Sequence, residues 1–188
     1  MGADKAMVAV GGRPMVAWVA DALEPVAGEV VLVGREGPAV GVPAIPDLRP
    51  GTRGPLAGLA AALRHAAGRP VLLVAVDQPL VRRETLERLV ALLDGEPVVP
   101  IDGGIRQTTC AVYPPSLATA AVEEDADGGS IQSLLGRVPH RGVVRSEWVG
   151  WGEDGRSWHS VDTPAEAADV LGRYEAAGAI RPPRGESE

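Results

Sequence analysis

Six consecutive apolar residues, Val71-Leu72-Leu73-Val74-Ala75-Val76, lie between Pro70 and the triplet Asp77-Gln78-Pro79. An apolar run of this length without polar alternation belongs to a strand buried on both faces, and therefore to a sheet covered by helices on either side. A carboxylate at the carboxyl end of such a strand lies on the rim where open α/β sheets bind ligands. Asp77 thus has two ordinary roles open to it: capping the next helix, or holding a hard cation.

Strand-like and helix-like segments alternate along the rest of the chain. Helices are predicted over residues 14–26, 56–67, 84–93, 114–123, 130–135 and 164–177, with Pro14 opening the first and Gly68 ending the second. Strands are predicted over residues 29–33, 42–45, 71–76, 96–100, 109–113, 142–149 and 158–161, with Asp102-Gly103-Gly104 as a turn. This alternation implies an α/β fold with a mostly parallel sheet covered on both faces. No repeat or linker divides the chain. Residues 1–178 read as a single domain, and residues 179–188, rich in Pro, Gly and charge, as a disordered tail.

Composition narrows the function. The 188 residues suffice for one well-buried domain, and with 45% apolar residues but no Phe its core must be aliphatic. A net charge of −7 argues against a nucleic-acid groove but does not exclude a nucleotide, which needs only a few local cations and backbone N–H groups. The lone Cys110 forms no internal disulfide and fits a cytoplasmic setting. His65, His140 and His159 have no metal-ligand spacing with it. No apolar run approaches the roughly 20 residues of a membrane span, and no secretory h-region follows Met1.

Three turns after apparent strands carry acids: Asp47 in Ile45-Pro46-Asp47-Leu48-Arg49-Pro50-Gly51, Asp77, and Asp162 in Ser160-Val161-Asp162-Thr163-Pro164. In a parallel sheet all three open on one rim. Asp77 and Asp162 converging there would suit Mg²⁺, which takes oxygen ligands and shares its sphere with phosphates. Asp162-Thr163-Pro164 also reads as a helix start. Gly54-Pro55-Leu56-Ala57-Gly58 reads either as a tight loop entering a helix or as a close backbone approach to an anion. Lys5, taken alone, is a solvated terminal lysine.

In combination these pieces resemble a known family. Met-Gly-x-Asp-Lys-Ala followed by Gly11-Gly12-Arg13-Pro14, the Pro46–Gly51 and Gly54–Gly58 runs, Val-Asp-Gln-Pro, Gln107-Thr108-Thr109-Cys110-Ala111-Val112-Tyr113 and Val-Asp-Thr-Pro resemble, in order, the landmarks of MobA-like nucleotidyltransferases. The resemblance implies a Rossmann-like three-layer α/β/α fold and Mg²⁺-dependent transfer of GMP from GTP onto molybdopterin or the molybdenum cofactor. It implies that Lys5 binds the donor's phosphates and stabilises the leaving pyrophosphate, and that Asp47 lies on the nucleotide-recognition loop. Asp77 would hold Mg²⁺, helped by Asp162. The turn at residues 102–107, including Gln107, and the helix from Ser130 would face the acceptor. No protein nucleophile is required, so Cys110 is a core residue. Trp148, Trp151 and Trp158 form an apolar edge rather than a pterin platform. The partners implied are small molecules, and the protein is expected to be a monomer or a weak homo-oligomer.

The chain departs from the family in two ways. It begins at the Met that follows the family's first strand and glycine-rich donor loop, and the expectation is a start codon assigned too late, with the longer product as the active enzyme. The competing reading is a pterin-cofactor binding protein that lacks the donor loop. Asp77-Gln78-Pro79 and Asp162-Thr163-Pro164 resemble cytidylyl-transferring relatives, whereas residues 54–58 and 107–113 resemble the guanylyl branch. The alternative donor is therefore CTP.

Overall fold

The structure is a computed structural model that describes residues 5–49, 51, 54–163, 165, 166, 169 and 172. The chain enters on a 3-10 turn, Lys5–Met7, and a small hairpin of β1 (Ala9–Val10) and β2 (Arg13–Pro14) closed by Gly11 and Gly12. Pro14, at φ −55° and ψ 139°, leads into α1 (Met15–Leu23); its ring pre-sets the φ that a helix entry needs. β3 (Leu32–Val33) and β4 (Ala44–Ile45) pair in parallel. α2 (Pro55–Ala66) starts on a proline and stops where Ala67 turns left-handed at φ 48° before Gly68. β5 (Val71–Val74), α3 (Arg83–Ala91), β6 (Val98–Asp102), β7 (Ile105–Arg106) and β8 (Cys110–Tyr113) follow, then α4 (Ala118–Ala126), α5 (Ile131–Leu135), β9 (Arg141–Val143) and α6 (Arg145–Trp148).

The sheet is mixed, not mostly parallel. β5–β8, β6–β8 and β6–β7 run antiparallel, and β3–β4 and β6–β9 run parallel. The cause is the turn at Gly103 and Gly104, both with positive φ (55° and 81°). It makes a two-residue hairpin whose returning strand continues as β8 and inserts between β5 and β6.

Strand alternation sorts the apolar residues into two layers. Leu72, Val98, Cys110 and Val112 face α1 and α3, meeting Val19, Leu23, Leu86 and Leu89. Leu73, Val99, Ala111 and Tyr113 face α2, α4 and α5, meeting Leu59, Leu63, Ile131 and Leu135. β8 is buried at all four positions, as a central strand should be, whereas β5 is only half-buried along its length despite its unbroken apolar sequence. β5 has β8 as its one partner among the described residues.

The carboxyl-terminal part differs from the pattern. The predicted strand at residues 142–149 ends at Val143 and becomes α6, then a 3-10 turn at Val149–Trp151. The segment predicted as a strand at 158–161 begins inside another 3-10 turn, Arg156–Trp158. Burial of two indoles decides this: Trp148 and Trp158 pack edge-to-face at 5.1 Å and donate to the Ile101 carbonyl and the Asp102 carboxylate. The apolar-edge reading of Trp148 and Trp158 is therefore correct. The predicted last helix lies largely outside the described residues, and the tail wholly so.

Glu153 fixes this segment. It is 2% exposed, accepts from the Thr85 and Ser157 hydroxyls, and accepts from the backbone N–H groups of Asp154 and Gly155. Glu153→Ala strands all these donors in a site that water does not reach. The expected loss is about 3 kcal/mol, read from the urea midpoint at unchanged slope; a loss under about 1 kcal/mol would show that the segment is held by the tryptophans alone.

Candidate active site

Beyond β5 the chain keeps its register for one more residue, since Ala75 N–H donates to the Thr109 carbonyl (2.9 Å), and then turns. Gln78 holds the turn. Its side chain is 2% exposed; Oε1 accepts from Ala75 N–H (3.2 Å), and Nε2 donates to Thr109 Oγ1 (3.2 Å) and the Trp158 carbonyl (3.4 Å). The same carboxamide thus binds the end of β5, the entry to β8 and the tryptophan segment together. Val161 N–H then donates to the Asp77 carbonyl at 2.7 Å, which sets Asp162 beside Asp77.

Lys5 completes the group. Val10 of the first hairpin and Met15 just after it pack with Leu80, three residues past Asp77, and with Val161, next to Asp162. The amino-terminal turn is thereby laid against the rim. Lys5 Nζ donates to Asp162 Oδ1 at 2.7 Å and lies 3.5 Å from Asp77 Oδ2. Asp77 is the most sheltered of the three, at 22% side-chain exposure against 53% for Lys5 and 65% for Asp162.

Neither acid is spent on capping. α3 begins at Arg83 with Arg82 as its cap residue, beyond Asp77. At the second turn Thr163 Oγ1 accepts from Glu166 N–H (3.2 Å) and the Glu166 carboxylate accepts from Asp162 N–H (3.0 Å). Thr163 is the cap in that helix start, and the Asp162 carboxylate is left for Lys5.

The electrostatics follow from the geometry. The hydrogen bond from Lys5, and then its charge, hold Asp162 below the ordinary carboxylate range. The bond to Asp162 raises the Lys5 ammonium above its usual value against the opposing effect of desolvation, with the charges of Asp162 and Asp77 adding to the rise. The pair's contribution is therefore complete between the unperturbed values of 3.8 for Asp162 and 10.5 for Lys5. It is lost as pH falls through the depressed value of Asp162 and again as pH rises through the raised value of Lys5.

The remaining candidates sit elsewhere. Asp47 follows β4, and its carboxylate lies against Gly34: a Cβ there would meet Asp47 Oδ1 at 3.2 Å. Burial, with the Asp125 charge adding, raises the Asp47 carboxyl above the ordinary range. Gly54 precedes α2 at φ 109°, a conformation that favours glycine. Gln107 is engaged in its own turn, with its N–H on the Pro100 carbonyl (2.8 Å) and its Nε2 on the Ile105 carbonyl (3.3 Å). Ser130 is the N-cap of α5, in a reciprocal box with Ser133. The two segments meet through Arg106, which donates to the Gln132 carbonyl (3.1 Å), and Gln132 Nε2, which donates to the Arg106 carbonyl (2.9 Å). Cys110 is fully buried, and desolvation pushes its thiol up, as a core residue requires.

Gln78 is the residue that pattern reading undervalues. A polar side chain between a buried strand and Leu80-Val81 must itself be buried and hydrogen-bonded, and that placement was the available signal.

Two carboxylates directed at one cation form a donor set for a hard ion such as Mg²⁺ that keeps water and phosphate oxygens in its remaining positions. No three His, Cys, Asp or Glu side chains among the described residues group as an all-protein cage.

The fold and site define an α/β domain with an ionic cluster on the ligand-binding rim of its sheet. The family described as MobA-like NTP transferase domain matches residues 1–142. The chain belongs to this family of nucleotidyltransferases. A molybdenum cofactor guanylyltransferase of Cereibacter sphaeroides is 37% identical over 152 residues, 77% of each chain. Among solved structures, molybdopterin-guanine dinucleotide biosynthesis protein A from Archaeoglobus fulgidus matches with a TM-score of 0.75 at 22% identity, over 92% of both chains. The 2-C-methyl-D-erythritol 4-phosphate cytidylyltransferase of Thermus thermophilus matches at 0.64 and 20% identity, over 92% of this chain and 95% of that one. No helix among the described residues is long and apolar enough to cross a membrane.

Lys5→Met should return the Asp162 carboxyl upward toward 3.8 in a carbon-detected NMR titration. Because the pair is exposed, the melting temperature should barely move. An unchanged Asp162 titration would mean that the ion pair does not form in solution.

Proposed function

We propose that this chain transfers GMP from GTP onto molybdopterin or its molybdenum form, with Mg²⁺ as cofactor. The observation that carries the reading is the convergence of Asp77 and Asp162 on the Lys5 ammonium. The name of the Cereibacter sphaeroides relative supports the choice of donor and acceptor.

In this reading an oxygen of the acceptor's phosphate attacks the α-phosphorus of GTP. A new P–O bond forms as the bond to the β-phosphate oxygen breaks, and pyrophosphate leaves. The protein supplies no nucleophile, and the buried Cys110 agrees with that. Its contribution is positioning, together with cations placed where negative charge accumulates. Mg²⁺ held by Asp77 and Asp162 would neutralise phosphate charge. Lys5 exchanges its carboxylate partners for the oxygens of the leaving pyrophosphate. Asp47, on its loop beside Gly34, lies toward the base. The joined segments carrying Gln107 and Ser130 lie toward the acceptor. The buried Gln78 keeps Asp77 in register without touching substrate.

Calorimetry with GTP, and with CTP for comparison, tests the donor. The expected result is Mg²⁺-dependent micromolar binding that prefers GTP. A preference for CTP would make this a cytidylyltransferase, and binding of neither would leave a role in holding the pterin acceptor. In the transfer assay Asp77→Asn should lower turnover by about 100- to 1,000-fold while the circular dichroism spectrum is unchanged. Near-normal turnover in that variant contradicts the metal role.

A further inference from the structure

The hairpin that reverses β8 also brings one arginine onto the rim that carries Asp77. Val74 pairs with Cys110, so the entry of β8 stands beside the exit of β5. Thr109 accepts there from Ala75 N–H through its carbonyl and from the Gln78 carboxamide through its hydroxyl. Arg106, the last residue of β7, precedes Thr109 by three residues, at most about 11 Å of chain. It is half-buried and held by a reciprocal lock. Its Nη1 donates to the carbonyl and Oε1 of Gln132, and Gln132 Nε2 donates back to the Arg106 carbonyl.

The charge of this guanidinium is not neutralised. In the neighbouring segments Arg137 is paired with Glu124, Arg141 with Glu147 and Arg145 with Asp102. Arg106 meets no carboxylate among the described residues, and its contacts there use Nη1 alone. The Nε–Nη2 edge of the fork is left open, two parallel donors whose spacing matches two oxygens of a phosphate. Gln107, by contrast, spends its carboxamide on the Ile105 carbonyl.

We propose that Arg106 is a phosphate-binding residue, and that within the transfer reading it holds the phosphomonoester of the acceptor. The identity of the ligand rests on that reading; the anion site itself does not. Lys5 and a divalent ion serve the phosphates of the donor. An incoming phosphomonoester is itself an anion, and bringing it against a triphosphate requires a separate cation on its own side. A fork that holds two of its oxygens leaves the third to face the α-phosphorus. Gln132 is the positioning residue in this arrangement, because it fixes the guanidinium through the one nitrogen that the phosphate does not use.

Inorganic phosphate titrated into the protein without nucleotide, and followed by NMR, tests the site apart from any activity. The expected result is saturable shifts at the Arg106 Nε–H signal and at amides of residues 105–107 and 131–133, with the amide shifts lost in Arg106→Gln. Shifts confined to the surroundings of Lys5, or the same amide shifts in Arg106→Gln, overturn the proposal. In the transfer assay with molybdopterin as acceptor, Arg106→Gln should raise the acceptor's KM by about 10- to 100-fold and leave that of GTP unchanged. Arg106→Lys, which keeps the charge but not the fork, should recover part of the loss. A rise in the KM of GTP alone overturns the assignment to the acceptor. If the wild-type chain transfers nothing while phosphate still binds at Arg106, the transfer reading fails and the anion site stands.

Discussion

The hydrogen bond from Val161 N–H to the Asp77 carbonyl ties together two parts of the chain more than eighty residues apart, and the site depends on it. Without it Asp162 has no reason to stand beside Asp77, and Lys5 has one partner instead of two. Gln78 supports it from beneath, because the same buried carboxamide that ends β5 also binds the carbonyl of Trp158 three residues before Val161. Glu153 and the edge-to-face tryptophans in turn hold that segment against α3 and β6. A chain of buried polar contacts thus runs from the interior through the sheltered Asp77 to the exposed ends of Lys5 and Asp162, and rigidity below permits an open, exchangeable cluster above.

That division suits phosphoryl-type chemistry. The exposed ends of Lys5 and Asp162 make a weak pair, easily exchanged for phosphate oxygens or a hydrated ion. Asp77, more sheltered and fixed through its backbone, is the anchor. Lys5 is the cation on which the two acids converge in the structure.

Much of this was legible in the sequence for physical reasons. The β5 run and the acid after it announce themselves by hydrophobicity and position, and the Gly103-Gly104 turn by its need for positive φ. Strand direction was not legible: β8 has the composition of a parallel strand, and only the tight hairpin, which reverses the chain between β6 and β8, makes it antiparallel. The break of residues 142–149 into strand and helix was hidden because the cause is tertiary, the seating of Trp148 beneath Trp158. The convergence on Lys5 was suggested by resemblance alone, since a lysine near a terminus carries no local signature. Asp162 was readable as either cap or ligand, and only the Thr163 hydroxyl, which accepts from Glu166 N–H, separates the two. The half-burial of β5 is the opposite case, in which a strongly apolar sequence meets an open edge.

The central claim is that Asp77 and Asp162 together receive a divalent cation carried by a nucleotide. The most direct measurement is paramagnetic broadening by Mn²⁺, used in place of Mg²⁺, in the amide and carboxyl NMR spectra with and without GTP. The account predicts broadening centred on Asp77, Asp162 and their neighbours Gln78 and Val161, strong only when the nucleotide is present. Broadening centred elsewhere, or unchanged when Asp77 and Asp162 are both replaced by Asn, would contradict it.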